Sequence, residues 1–336
     1  MSASCRNPGE RVVISMLDSR GREINYMRVS VTDKCNLRCR YCMPEGVDIV
    51  PMSDLLTFEE ITAVCRQASL LGIDRIRITG GEPLVRKGVE DLVSMVRALP
   101  AIHQVTMTTN GVLLADHLPG LLEAGLDGVN ISLDTMDRDV FRRITGRDRL
   151  DRVLAGLEAA LDSGIRVKIN SVLIKGTNEH EWSGLSELAR TRPLDIRFIE
   201  LMPIGSGRDY QGISNQDLLA RMRERFPDLE EDRRIHGNGP AVYYRVPGWQ
   251  GSIGLISPVH GKFCSDCNRI RLSAMGDLKP CLCFEPTANV RDLLRKQGEE
   301  AAGRLLRKVI FDKPEAHCFN KIEDITEDRQ MIAIGG

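Results

Sequence analysis

The sequence predicts an α/β fold, a parallel sheet closed or partly closed into a barrel: an incomplete TIM barrel of about six βα units followed by a C-terminal extension. Three observations carry this. Short β-branched runs at 24–32, 74–79, 104–109, 127–133, 166–173 and 194–201 alternate with apolar residues at helical spacing near 57–71, 87–98, 114–124, 137–145, 150–163 and 179–190. Strands that alternate with helices imply βαβ units and parallel pairing. The residue types suited to chemistry also collect just after the expected strand C-termini, where such barrels carry their reactive loops.

The first expected strand, 24–32, runs into a loop at 33–46 that holds Cys35, Cys39 and Cys42. Thr57 and Glu60 have the form of a capping box, after which apolar positions recur at helical spacing to Leu71. The second strand ends in Gly80, Gly81, Glu82 and Pro83, a turn whose glycines let a ligand approach the backbone and whose glutamate offers a carboxylate to an ammonium group. Loops at 108–111, 132–134 and 202–205 follow the third, fourth and sixth strands, whereas the fifth carries Lys168 and Asn170 within its own length. After residue 205 the composition shifts: loop-forming stretches at 205–209 and 237–240 flank a helix expected at 214–225, and 241–260 reads as a short β unit leading to Cys264. The chain thus divides into a barrel, 24–205, and an extension, 206–336.

With 336 residues, 42% of them hydrophobic and 28% charged, the chain can bury a large core, and a formal net charge of −1 argues against a general nucleic-acid binder. Any attraction for anions must be local. Residues 1–23 hold only a brief, polar-flanked apolar patch, unlike a signal peptide, and no later run is long enough to cross a membrane, so the expected compartment is the cytoplasm.

Ten cysteines in such a compartment need a reason other than disulfides. Cys35, Cys39 and Cys42 can put three thiolates on one side of a compact centre with no fourth cysteine nearby. That favours an iron–sulfur cluster with one open iron over a zinc site closed by four ligands. Zinc completed from elsewhere, or plain loop cysteines, are the alternatives. Cys264, Cys267 and Cys281 form a second triplet, for which a zinc knuckle fastening the C-terminal tail is the bland alternative. Cys65 shares helical spacing with Ile61, Val64, Ala68 and Leu71 and reads as core, which leaves Cys5, Cys283 and Cys318.

Period-two geometry lets Arg75 and Arg77 share a strand face; Arg197 lies on another strand, and Arg269 and Arg271 alternate beside a cysteine pair. A single basic residue is ordinarily a solvated surface position. An inward guanidinium requires an anion, and its planar fork suits phosphate oxygens.

The three-cysteine loop with Tyr41 in its aromatic position and the Gly-Gly-Glu-Pro turn resemble the radical S-adenosylmethionine (SAM) enzymes. The second triplet, the segments 78–83, 108–111, 167–170, 198–205 and 268–271, and the final Gly335 and Gly336 narrow the resemblance to the GTP 3′,8-cyclase family of molybdenum cofactor biosynthesis, over about 28–336. The resemblance implies two 4Fe-4S clusters, one at each end of the barrel's opening: the first on Cys35, Cys39 and Cys42 with SAM on its open iron, the second on Cys264, Cys267 and Cys281 in a cluster-binding extension. It implies SAM contacts at Tyr41, Gly81, Glu82, Ser132 and Met202, and GTP contacts at Arg28, Arg77, Thr108, Lys168, Arg269, Ile270 and Arg271, to which the strand position of Arg197 adds a further one. A SAM-derived radical would take hydrogen from C3′ of GTP, and the carbon radical would join C8 of the base. Gly335 and Gly336 would insert toward the active site and be needed for activity. Implied partners are GTP, a flavodoxin-type or similar electron donor, the downstream enzyme that makes cyclic pyranopterin monophosphate, and a second copy in a homodimer; no nucleic acid or membrane is expected.

One departure concerns the third ligand of the second triplet. The family commonly reads Cys-Leu-Phe there, and this chain reads Cys281, Leu282, Cys283, Phe284, with Cys283 taken as a neutral neighbour and an alternative-ligand reading kept open. Two rival functions are a radical SAM enzyme that modifies a peptide, against which 268–271 and the Gly-Gly end speak, and a zinc-binding regulatory protein.

Overall fold

The computed structural model describes residues 16–43, 46 and 50–335. Strands β1 (Tyr26–Ser30), β2 (Arg75–Thr79), β3 (Gln104–Thr109), β4 (Gly128–Ser132), β5 (Arg166–Ser171) and β6 (Asp195–Ile199) fall where the six β-branched runs predict them. They pair in that order and all in parallel. Between them come α1 (Phe58–Leu70), α2 (Val89–Arg97), α3 (Leu114–Glu123), α4 (Arg138–Thr145), α5 (Leu150–Asp162) and α6 (Trp182–Thr191). The capping box is formed: Glu60 N donates to Thr57 Oγ1 at 3.2 Å and Thr57 N to Glu60 Oε2 at 2.8 Å, so α1 begins where its free amides find partners.

Alternation within each strand decides what the sheet separates. Met27, Val29, Ile76, Ile78, Ile169, Ile196 and Phe198 belong to one buried core shared with the helices. The opposite parity supplies Tyr26, Arg28, Arg77, Thr106, Asn130, Lys168 and Arg197 to the wall of a cavity. A side chain's register along its strand therefore tells core from site.

The C-terminal part of the chain returns to the same sheet. After α7 (Asn215–Arg225) come β7 (Glu230–Glu231), β8 (Val242–Arg245), β9 (Ser252–Ile256), β10 (Arg269–Leu272), β11 (Asp277–Lys279) and β12 (Ala288–Asn289). β9 pairs in parallel with β6, and β10 in parallel with β1. The order β12-β11-β10-β1-β2-β3-β4-β5-β6-β9-β8-β7 is one open sheet whose central eight strands are parallel. The fold is an incomplete barrel, and residues 206–336 widen it on both flanks; the sheet itself is continuous across position 205. α8 (Arg291–Gln297) precedes α9 (Glu299–Phe311), which packs on α1.

Glu200 fastens the join. Its buried carboxylate accepts from Asn215 N, Val259 N and His260 N, each at 3.0 Å, so the end of β6 and the turn after β9 share one anion. Among the described residues no helix is long and apolar enough to cross a membrane.

Candidate active site

The loop after β1 carries the first triplet. Cys42 N and Met43 N both donate to Cys39 O, at 2.9 and 2.8 Å, which folds the loop back on itself. Burial, and then the nearness of the other thiols, holds Cys39 well above the ordinary thiol range; burial, Cys35 and Asp134 push Cys42 up to about 12. Leu37 N and Asn110 Nδ2 donate to Cys35 Sγ at 3.4 and 3.7 Å. Thiols crowded this way ionise when a metal takes their charge, and nearby N–H donors then stabilise the sulfurs, so the donor set fits an iron–sulfur cluster.

The glycine turn serves the chain's own backbone. A Cβ on Gly81 would stand 2.4 Å from Lys34 O and one on Gly80 2.7 Å from Thr32 O, while Gly81 N donates to Thr32 O at 2.7 Å and Glu82 N to Lys34 O at 2.8 Å. The turn thereby braces the base of the cysteine loop. Glu82 is fully buried and accepts from Thr109 Oγ1 at 2.7 Å, Asn110 N at 2.6 Å and Leu84 N at 3.1 Å. Burial outweighs these bonds and raises its carboxyl to about 7. Tyr41 donates to Asp134 Oδ2 at 2.7 Å, and Ser132 ends β4 exposed, two residues earlier. Met202, which follows the C-terminal end of β6, lies in the wall of the cavity at the second triplet.

Across the sheet, Arg271 of β10, Arg28 of β1 and Arg77 of β2 stand side by side. A second row places Thr108, Asn130 and Lys168 together, and Asn170 adjoins Arg197. Arg28, Arg77, Lys168, Arg197 and Arg269 wall one cavity. Burial, and then the charges of Arg271, Arg77 and Arg269, holds the Arg28 guanidinium well below its usual range. Among the described residues, Arg197 Nε, Arg269 Nε and Thr108 Oγ1 are buried without a hydrogen-bond partner. Buried donors left open among like charges are unfavourable until an anion joins them. Lys168 has acidic company: Nζ lies 2.8 Å from Asp195 Oδ2 and donates to Tyr243 Oη at 3.0 Å. Burial still lowers it to about 8, against the pull of Asp195. Ile270 is the exception: its side chain sits in the helix-side core, because its parity is opposite to that of Arg269 and Arg271.

The second triplet lies beyond the other end of the strands. Cys264 and Cys267 precede the first residue of β10, whereas Cys35 follows the last residue of β1, its parallel neighbour. About five strand residues, roughly 16 Å, therefore separate the two. Cys281 joins Cys264 and Cys267 because β11 runs antiparallel to β10 and ends beside its start. All three wall one cavity with Lys313 and His317. Burial raises the Cys267 thiol, but Lys313 and Arg269 together bring it below its ordinary value. His317 N donates to Cys264 Sγ at 3.5 Å. Cationic and N–H donors around three thiols again fit a metal cluster. Arg269 belongs to the walls of both cavities and so joins the second triplet to the basic site. Cys283 Sγ turns away, toward Cys318.

The tail reaches into this arrangement. Gly335 is buried, with φ +72°, and a Cβ there would lie 3.0 Å from Ser30 Cβ at the end of β1. Ile332 N donates to the Cys42 sulfur. Gly336 lies outside the described residues. Sequence reasoning missed Asn110, Asp134, Asn130, Tyr243, Lys313 and His317. Asn110 sat within a flagged loop, but Lys313 and His317 carry no motif and are recruited by the fold alone.

An open parallel sheet with a three-cysteine loop at the end of its first strand defines a radical SAM protein, and the radical SAM superfamily profile matches residues 29–189. A second profile, Molybdenum Cofactor Synthesis C, matches 194–319. The GTP 3′,8-cyclase of Clostridium perfringens is 42% identical over 323 residues, covering 96% of this chain and all of that protein; that of Moorella thermoacetica is 44% identical over 329 residues with the same coverage. This chain belongs to the GTP 3′,8-cyclase family. The crystal structure of Streptococcus suis SuiB bound to S-adenosylmethionine shares the fold, with a TM-score of 0.63 at 14% identity over 92% of this chain and 77% of that one.

Proposed function

We propose that this chain is a GTP 3′,8-cyclase of molybdenum cofactor biosynthesis, a lyase that uses SAM and two 4Fe-4S clusters to join C3′ of GTP to C8 of its guanine. The observation that carries the reading is the row Arg271, Arg28 and Arg77, extended by Lys168 and Arg197 in a cavity between two cysteine triplets. Cys35, Cys39 and Cys42 would hold one cluster and Cys264, Cys267 and Cys281 the other. When bound there, the first cluster and SAM would supply the radical chemistry that abstracts hydrogen.

The chain's own residues do the positioning. The guanidinium groups of Arg28, Arg77 and Arg197, the Lys168 ammonium and the Thr108 hydroxyl bind the triphosphate, whose charge relieves their mutual repulsion. Arg269, which walls both cavities, and Arg271 would hold the nucleotide between the two triplets. Tyr41, Gly81, Glu82, Ser132 and Met202 form the SAM side; Tyr41 is fixed by Asp134, and Glu82 sets the turn that carries it. Gly335 fills the remaining opening with thin backbone and keeps water from the reacting carbon, and Gly336 would be needed with it for activity. A flavodoxin-type electron donor, a cytoplasmic location, a homodimer and delivery of product to the enzyme that makes cyclic pyranopterin monophosphate complete the proposal.

The experiment is anaerobic reconstitution followed by incubation with GTP, SAM and a reductant. About eight irons per chain and a 3′,8-cyclised nucleotide identified by mass and NMR support the reading. Zinc in both sites, or a modified peptide with GTP untouched, overturns it.

A further inference from the structure

Cys283 and Cys318 are free cysteines beside the second triplet that no proposed cluster uses. Their sulfurs lie 2.9 Å apart across 35 positions of chain, short for two unbonded sulfurs. The geometry is held from both sides: Cys318 N donates to Cys283 Sγ at 3.3 Å, and the Cys318 thiol donates to Asp324 O at 3.1 Å. Cys283 is buried and Cys318 partly exposed. Both belong to a small separate core with Leu282, Phe319 and Ile325, into which the tail residues Met331 and Ile334 also pack. The sequence left Cys318 without a role and read Cys283 as a neutral neighbour of the second triplet, with an alternative-ligand reading kept open.

We propose that Cys283 and Cys318 form a redox-active dithiol that closes to a disulfide while Cys281 keeps its place in the triplet. The oxidant class is a low-molecular-weight disulfide such as oxidised glutathione. The thiolate of Cys318, the accessible sulfur, attacks it and expels one thiolate, leaving a mixed disulfide. Cys283 then attacks the Cys318 sulfur and expels the second. The small disulfide gains two electrons and takes up the two cysteine protons, becoming two thiols, and the protein gains one S–S bond. That bond ties the stretch after Cys281 to the stretch after His317, and so braces the pocket that receives the tail. It also withdraws two spare sulfurs from competition for iron. The inference holds whichever substrate the basic cavity takes.

The test uses the cluster-loaded protein, equilibrated anaerobically in glutathione buffers from reducing to oxidising, with free thiols trapped by iodoacetamide, peptides mapped by mass spectrometry and iron measured in parallel. The expected result is a peptide pair joined through Cys283 and Cys318, released by dithiothreitol, at unchanged iron content; in Cys318→Ser the pair is absent and Cys283 is alkylated. Alkylation of both cysteines in every buffer, a mixed disulfide that stops at Cys318, or a joined pair found only in samples that have lost iron would each overturn the proposal.

Discussion

Arg271 donates from Nη1 to the carbonyl oxygen of Gly335 at 2.8 Å, so a strand residue four positions past Cys267 holds the end of the tail beside β1. Arg271→Ala removes this charge-assisted bond, worth about 1.5–3 kcal/mol, and with it a cation of the basic row. Product formation is expected to fall by about ten- to hundred-fold with iron content unchanged. Removal of Gly335 and Gly336 is expected to abolish cyclised product with both clusters retained. Full activity in either variant, measured as product per iron, would contradict the role given to this contact.

With Lys168 at the proposed triphosphate site, GTP affinity is expected to depend on pH. Its folded value of about 8 lies below the usual lysine range, so the cation that meets phosphate is lost as pH rises through that value. About nine-tenths is charged at pH 7 and about one-tenth at pH 9. Equilibrium binding of GTP should therefore weaken between pH 7 and pH 9.5, and in Lys168→Arg this limb should move beyond the range. A flat profile for the wild type would remove Lys168 from the triphosphate site.

Gly81→Ala should fail at the cysteine loop. The new Cβ would press on Lys34 O at 2.4 Å and Asp33 O at 2.7 Å, both backbone atoms that cannot turn aside. Iron after reconstitution is expected to drop from about eight to about four per chain, because only the first cluster loses its frame. Iron near eight with normal thermal stability would show that the turn yields without disturbing the loop.

Glu327 and Lys279 form a buried ion pair, and Arg329 also contacts Glu327 at 3.0 Å. Breaking a buried pair leaves an uncompensated charge, so Glu327→Gln is expected to destabilise by about 3–5 kcal/mol. Denaturant unfolding of the apoprotein checks this; a loss below about 1 kcal/mol would place the pair among weak surface pairs.

The six central strands, the α1 capping box and both triplets were legible because each rests on local pattern: β-branched runs, a Thr57 to Glu60 spacing, cysteines a few positions apart. The cavity positions of Arg77 and Arg197 were legible from strand parity, and those of Arg28 and Lys168 only from the family resemblance. What escaped was long-range pairing. Nothing near 252–256 or 269–272 announces that these strands flank β6 and β1 in parallel, and that pairing is what sets Arg271 beside Arg28. Lys313 and His317 escaped for the same reason, since their distance from Cys267 and Cys264 is short only after α9 packs on α1. The glycine turn was legible, but its packing on Lys34 and Asp33 was not, because a sequence shows that Gly81 lacks a side chain and not which backbone lies against it.

The most direct measurement uses GTP deuterated at C3′, with the reconstituted protein, SAM and reductant, and mass analysis of the 5′-deoxyadenosine released. The account predicts one deuterium transferred to 5′-deoxyadenosine alongside cyclised product. Deuterium retained in the nucleotide, with unlabelled 5′-deoxyadenosine, would contradict it.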